Sequence, residues 1–406
     1  MTQFISDFHI HSRFSRATSI NLTIQNLEKW ARIKGINLLG TGDFSHPEWF
    51  KELKQELQED GSGILKTKSG FNFILSNEVS LMYSQDGKGR RIHLVLLAPN
   101  FETVEKITKY LLTKGRIDYD GRPIFNIPCD QFVKDMMSIS EQIEVIPAHA
   151  WTPWFGIFGS STGFDSMEQA FKDQVNHIHA FETGMSSDPE MNWRLSSLDK
   201  YAIISFSDSH SFWPWRLGRE ATVFELKELT YQNIIKAIYT KDIAFTIETS
   251  PSYGKYHFDG HRLCNFSCSP EESKKLNNIC PVCGKKLTIG VLNRVDELAD
   301  REEGFKPKDS RPFRTLIPLH DLLAARLDAA VATKKVWQEY NKLIAAFQNE
   351  FNILLNVSGD DLKKVTSEQI TKDILKNREG KIKVKPGFDG EYGQPILDTE
   401  EQKKLF

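Results

Sequence analysis

Over the first 250 positions apolar residues come in short bursts, and a polar, ligand-type side chain closes most of them. Alternation over Asp7-Phe8-His9-Ile10-His11 predicts a strand with Asp7, His9 and His11 on one face and Phe8 and Ile10 on the other. Apolar residues at Leu22, Ile24, Leu27, Trp30 and Ala31 predict an amphipathic helix, capped by Ser19 or Asn21 and stopped near Gly35. Ile36–Gly40 is a second strand, leading into Thr41-Gly42-Asp43-Phe44-Ser45-His46. A helix around Trp49–Leu57 follows. Further strands are predicted at Phe71–Glu78, at Arg91–Ala98 carrying His93, at Glu144–His149, at His177–Glu182 and at Ala202–His210. Strands alternating with helices predict an α/β protein with a parallel sheet. Ligand-type residues at strand C-termini point to a β/α barrel over residues 1–250.

Beyond residue 250 the pattern changes. Cys264-x3-Cys268-x11-Cys280-x2-Cys283 sets four thiols in two close pairs, and Cys280-Pro281-Val282-Cys283-Gly284-Lys285 has the form of a zinc-knuckle turn. Residues 251–300 are therefore expected to hold one structural zinc on these four cysteines; His257 and His261 could substitute as ligands but are expected instead to contact phosphate or pack. Cys129 stands apart as a buried thiol. Asp300–Pro312 is a charged linker, and Leu316–Leu327, Val336–Phe351 and Thr366–Asn377 carry helical spacing. A strand is expected at Lys381–Val384. Residues 301–393 are expected to be a helical domain, with 394–406 a mobile polar tail.

Composition alters this picture little. With 40% hydrophobic and 26% charged residues the chain is of ordinary globular type, and a net charge of −2 gives no bulk attraction for nucleic acid. Such a partner needs a local patch. No apolar run approaches the roughly 18 residues of a spanning helix, and the N-terminus has no signal-peptide pattern, so a cytoplasmic location is expected.

The candidate chemistry changes the picture more. His9, His11, Asp43, His46, Glu78, His93, His149, Asp208 and His210 recur at the ends of successive strands, which core histidines have no reason to do. Imidazoles and carboxylates together suit Zn, Mn or Fe, with Mg also admitted. Two such ions activate a water and neutralise charge on a phosphoester. No glycine-rich phosphate loop or Ser-His-Asp order stands out, so a hydrolytic water is expected. Trp151 and Trp154 follow His149, and Trp213 follows His210. Rings in loops beside such a centre either stack on bases or pack as core. Arg194, Arg216 and Arg219 are candidates for phosphates, and Glu182 closes its strand as a supporting or catalytic carboxylate.

These ordered motifs resemble the PHP (polymerase and histidinol phosphatase) superfamily of distorted seven-stranded β/α barrels that hold two or three metals for phosphoester hydrolysis. The resemblance implies one metal on His9, His11, Glu78 and Asp208, and a second on Glu78, His93 and His149. It places His46 and His210, with Asp43, at a third position, and casts Glu78, Asp208 and His210 as catalytic. Many members carry an acidic residue seven positions after the second histidine, where this chain has Thr18. Ser186–Leu195, Gly254–His257, the cysteine knuckle, Arg294–Arg301 and Pro386–Gly393 narrow the resemblance to endonuclease Q. That family joins a PHP barrel, a zinc domain and a helical region. It nicks DNA 5′ to deaminated bases, hypoxanthine and uracil among them, and at abasic sites. A PHP phosphomonoesterase acting on a small metabolite and a non-catalytic DNA-binding module are the alternatives. Gln402-x-x-Leu405-Phe406 resembles the short peptide by which bacterial repair proteins dock on the sliding clamp.

Overall fold

The structure, a computed structural model, describes residues 1–397 of the 406. The first strand is Thr2–Asp7, followed by helix Ile24–Lys34. The cap is Thr23, whose side chain accepts from the Asn26 N–H, and Gly35 ends the helix at φ +98°. The helix returns the chain to Leu38–Gly40, parallel to both Thr2–Asp7 and Asn72–Gln85. Up to this point the parallel β-α-β expectation holds.

The next strand departs from it. Asn72–Gln85 and Lys88–Ala98 form a long antiparallel hairpin, turned at Asp86-Gly87 with both residues at positive φ. A two-residue connection cannot carry a parallel crossover, so the sheet becomes mixed here. Lys88–Ala98 then pairs antiparallel with Glu144–Pro147, and Ala180–Glu182 pairs parallel with Ala202–Ile204. Ala221–Leu226 returns antiparallel against Thr2–Asp7. The result is a distorted α/β barrel. Phe8, Leu38, Ile74, Val95, Ile146, Ile204, Phe206 and Phe224 bury together as one apolar cluster. The alternation that turns Phe8 into this cluster turns His9 the other way.

After the barrel, Asp259–His261 and Phe266–Cys268 form a small antiparallel hairpin. Phe313–Thr315 rejoins the barrel sheet beside Phe245–Glu248. The C-terminal helices are Leu319–Arg326, Lys334–Phe347, Glu350–Leu355, Gly359–Val365 and Glu368–Arg378. The single helix expected over 336–351 is broken at Gln348, φ +74°, and Asn349 caps its successor. Gln394–Ile396, in the stretch expected to be tail, pairs with Lys383–Lys385. Gln402, Leu405 and Phe406 lie outside the described residues. Among the described residues, no helix is long and apolar enough to cross a membrane.

Candidate metal centre

Glu78, fully buried on the long hairpin, lies between two groups of donors. On one side its Oε1 is 3.5 Å from His9 Nε2, its Oε2 is 3.3 Å from His11 Nε2, and Asp208 Oδ1 is 3.2 Å from His11 Nε2. On the other side Oε1 is 2.7 Å from His93 Nδ1 and 3.2 Å from His149 Nε2. Each group can hold one cation, and Glu78 belongs to both. His9 Nε2 is buried without a hydrogen-bond partner, aimed between Glu78 and Asp208. An orphaned imidazole lone pair among carboxylates fits a metal ligand, and the N/O donor set fits Zn, Mn or Fe.

The remaining atoms of these ligands are fixed from behind. His9 Nδ1 lies 2.9 Å from Glu182 Oε2, which also accepts from the His149 N–H at 2.7 Å. His11 Nδ1 lies 3.0 Å from Asp43 Oδ1. Such partners set ring orientation and tautomer. Asp43, His149 and Asp208 carry φ values of +45°, +30° and +47°. Left-handed backbone at a non-glycine residue costs about 1–3 kcal/mol and tends to gather at functional sites.

Electrostatics follows the same geometry. Burial disfavours the charge on His9, but Glu182, Glu78 and Asp208 outweigh it and hold its pKa well above the ordinary value. Burial likewise opposes ionisation of Glu78, yet His93, Arg122 and His9 keep it well below the carboxylate range. Burial dominates at His93, pushing it down to about 4.

The centre opens onto a cleft of about 390 Å³. Trp154, Phe155 and Tyr256 give it aromatic walls, and Arg122, Arg219 and Lys255 line it with charge. Tyr392 reaches the same cleft from the far end of the chain, because Gly387, Gly390 and Gly393 donate backbone N–H groups to Ser252, Lys255 and Tyr253. Burial alone would raise the Tyr392 phenol. Arg219, Arg216 and Lys255 around it bring it below its ordinary pKa.

The whole chain matches known structures. It superposes on the crystal structure of a lesion-specific endonuclease from Pyrococcus furiosus with a TM-score of 0.87 and 30% identity, covering 100% of this chain and 99% of that one. An endonuclease Q complex with a 27-mer duplex bearing an abasic lesion at the active site matches at TM-score 0.88 and 30% identity, with 98% of each chain covered. The chain belongs to the endonuclease Q family. A family profile described as the MJ0043 C-terminal domain matches residues 318–381. An uncharacterised Methanocaldococcus jannaschii protein is 33% identical over 285 residues, 69% of this chain and 34% of its own length. The chain thus spans about a third of that relative.

In this endonuclease Q member the third donor group expected from the sequence is not gathered among the described residues. Asp43 is engaged elsewhere: Oδ1 faces His11, and Oδ2 accepts from the Ser12 N–H, the Ser12 hydroxyl and the Ser15 hydroxyl at 2.6–2.8 Å. His46 stacks on Phe14, with ring centroids 4.4 Å apart. His210 leans on the His11 ring at 4.3 Å, with Nδ1 3.2 Å from the Asp208 carbonyl.

The aromatic and basic candidates separate. Trp154 lines the cleft, edge-on to Tyr256. Trp151 does not: it is fully buried, its indole N–H donating to Asn192 Oδ1 at 2.7 Å, so it is core. Trp213 lies between Trp215, Trp30 and Trp337, where the barrel meets the C-terminal helices. Arg194 is paired with Asp296 at 2.5 Å, a partner that ties it to helix Val291–Leu298. Arg216 sits over the Tyr392 ring, 5.2 Å from its centre.

The zinc-type site differs in one member from the expected four thiols. The gathered donors are His261, Cys264, Cys280 and Cys283, with His261 Nδ1 3.5 Å from Cys283 Sγ. Burial opposes the Cys280 thiolate, but the N–H groups of Cys283 and Val282 lower its pKa, as a knuckle turn should. Cys268 is instead buried with Leu287, opposite Asp259 on the hairpin. Three thiols and an imidazole are a suitable tetrahedral zinc set.

Sequence reasoning missed Arg122, which donates from Nη1 to Glu78 Oε2 at 3.0 Å. It lies in a loop with no motif around it. It missed Tyr392 as a wall of the cleft because the Pro386–Gly393 motif does not say which part of the chain it folds back onto.

Proposed function

We propose that this chain is a metal-dependent DNA endonuclease that nicks the phosphodiester on the 5′ side of abasic sites and of deaminated bases such as hypoxanthine and uracil. The observation that carries the reading is a pair of ligand groups sharing Glu78 at the mouth of an aromatic cleft of about 390 Å³. A duplex with an abasic lesion at the active site, as bound by a family relative, is the substrate type this cleft would take.

In this reading His9, His11, Glu78 and Asp208 hold one divalent ion, and Glu78, His93 and His149 a second. The two ions supply, when bound, an activated water and neutralisation of charge on the phosphate. Trp154 and Tyr256 flank an extruded nucleotide. His210, 32% exposed and leaning on the His11 ring, exchanges protons with the reacting oxygens. Extrusion costs a few kcal/mol and least where no pairing base remains, so abasic sites are the easiest substrates. Gln402, Leu405 and Phe406 would tether the enzyme to a sliding clamp. Removing them should leave oligonucleotide cleavage unchanged and abolish clamp binding.

The test is one incubation, with and without chelator, of an abasic duplex, an undamaged duplex and a small phosphate ester. Chelator-sensitive nicking confined to the abasic duplex is expected. Hydrolysis of the ester alone would replace this reading with a metabolite phosphatase, and binding without cleavage would leave a DNA-binding module.

A further inference from the structure

Arg122 lies in the centre without a part in the ligand groups. Its Nη1 bonds the carboxylate that both groups share, and its side chain, 26% exposed, lines the cleft beside Asp208, His93 and His149. Among the described residues its head group makes no other hydrogen bond, which leaves most donors of the guanidinium fork for a group in the cleft.

The loop that delivers it is closely built. Buried Asp120 accepts from the N–H groups of Arg122 and Arg16, at 3.2 and 3.3 Å. Gly121 donates its N–H to the Phe14 carbonyl at 3.1 Å. A Cβ at Gly121 would collide with the carboxylate of Asp43 and the hydroxyl of Ser15. Asp120-Gly121-Arg122 is therefore seated directly on the carboxylate that orients His11.

The same neighbourhood lacks the third donor group. Asp43 has its oxygens engaged, His46 is stacked on Phe14, and Thr18 offers its hydroxyl to the Ser15 carbonyl. What stands beside Glu78 and Asp208 there is a guanidinium, its charge held in place by both carboxylates against the cost of burial. Resting on the nuclease reading, we propose that Arg122 is a catalytic residue, the fixed third cation of the centre, and that it binds the non-bridging oxygens of the scissile phosphodiester. As the water oxygen bonds to phosphorus and gives up a proton to His210, the bond to the leaving oxygen breaks with its electron pair on that oxygen, which takes a proton from solvent, and negative charge persists on the non-bridging oxygens throughout. A planar fork matches two of them, which a lysine ammonium cannot do.

The experiment uses the metal-loaded full chain with Arg122→Ala, Arg122→Lys and Arg122→Gln, the last keeping a donor toward Glu78 without charge. Metal content, inorganic phosphate affinity by titration calorimetry, and cleavage of an abasic duplex are measured together. Wild type should carry two barrel metals and one zinc, and the variants should keep all three. Arg122→Ala and Arg122→Gln should lower kcat by about 10²–10³-fold, as removal of one transition-state donor does. Phosphate affinity should fall at least roughly tenfold. Added guanidinium should restore part of the Ala variant's rate, and lysine should recover less than wild type. Three barrel metals in wild type would overturn the proposal. So would loss of barrel metals in the Gln variant, or kcat and phosphate affinity within about threefold of wild type. If wild type cuts no DNA the nuclease reading fails on its own, and metal count and phosphate binding still judge Arg122.

Discussion

Lys34 and Glu350 are 316 residues apart in the chain and form a buried ion pair, Nζ to Oε1 at 2.6 Å. Lys34 also donates to the Pro214 carbonyl, while Glu350 accepts from the Leu319 N–H and the Tyr340 hydroxyl. The pair fastens the first barrel helix to the C-terminal helices. Lys34→Met should cost about 3–5 kcal/mol in chemical denaturation, because it leaves a carboxylate buried without its cation. Lys34→Met combined with Glu350→Gln should recover part of that loss. A single-variant cost below about 1 kcal/mol would contradict the pairing.

Among the described residues, the Glu182 carboxylate touches the centre only through His9 and His149. Glu182→Gln should weaken metal affinity by about 10–100-fold, read by competition with a chelator, with the fold intact. Glu78→Ala should disturb both ions, and Asp208→Asn should abolish cleavage. Chelation should inactivate reversibly, with Mn or Zn restoring activity better than Ca. Unaltered metal affinity in the Glu182 variant would remove its orienting role.

Two neighbouring tryptophans should behave oppositely. Trp154→Ala should reduce discrimination between abasic and intact duplex while stability changes little. Trp151→Ala should destabilise the barrel by about 3–5 kcal/mol, since it empties a buried site and strands Asn192. Equal discrimination by the Trp154 variant and wild type would show that this wall does not read the lesion.

The zinc site can be apportioned by stoichiometry. Cys280→Ser and His261→Ala should each lose one tightly held zinc and loosen the hairpin at 259–268, whereas Cys268→Ser should keep it. His261→Cys should retain the metal. Zinc lost from the Cys268 variant and kept in the His261 variant would restore the four-thiol arrangement.

Glu220 and Glu248 are both fully buried and share the Ser205 hydroxyl. Burial, with the neighbouring Glu248, raises Glu220 well above its ordinary pKa, and burial raises Glu248 to about 8. Both folded-state values lie above the unfolded one, so between about pH 4.5 and 8 the folded chain binds more protons than the unfolded chain. The pair's contribution should therefore be best below the unfolded pKa and decline as pH rises to about 8. Glu248→Gln should flatten that decline in denaturation midpoints measured across the range. A wild-type midpoint that rises over this interval, with the variant parallel to it, would count against a protonated pair.

The ligands were legible because a strand's period of two and its C-terminal end are written in sequence: His9 and His11 alternate with Phe8 and Ile10, and His93 and His149 mark their strands. The mixed sheet was not, since a two-residue turn at Asp86-Gly87 reverses a strand that otherwise reads like its neighbours. Counting thiols ranked Cys268 above His261, a possible substitute ligand, because the hairpin at 259–268 brings the imidazole to the knuckle by pairing rather than by spacing. Trp151 and Trp154 are three residues apart in one loop, and only packing decides which ring faces solvent. Arg122 and Tyr392 reach the centre by loop closure from 44 and 314 residues beyond Glu78, a distance no local pattern records.

Tyr392 has a consequence for how an active molecule comes into being. A chain emerging from the ribosome, at about 5–20 residues per second, presents His9 first and has every proposed barrel ligand once Asp208 is out. The wall of the cleft is still unmade at that moment, because the stretch from Gly387 to Gly393 is nearly 200 residues away from completion. A chain that stops short of Gly387 thus carries every proposed ligand without an enclosed groove. On the nuclease reading, the power to cut a chromosome is withheld until the segment carrying Tyr392 has been threaded back onto the barrel.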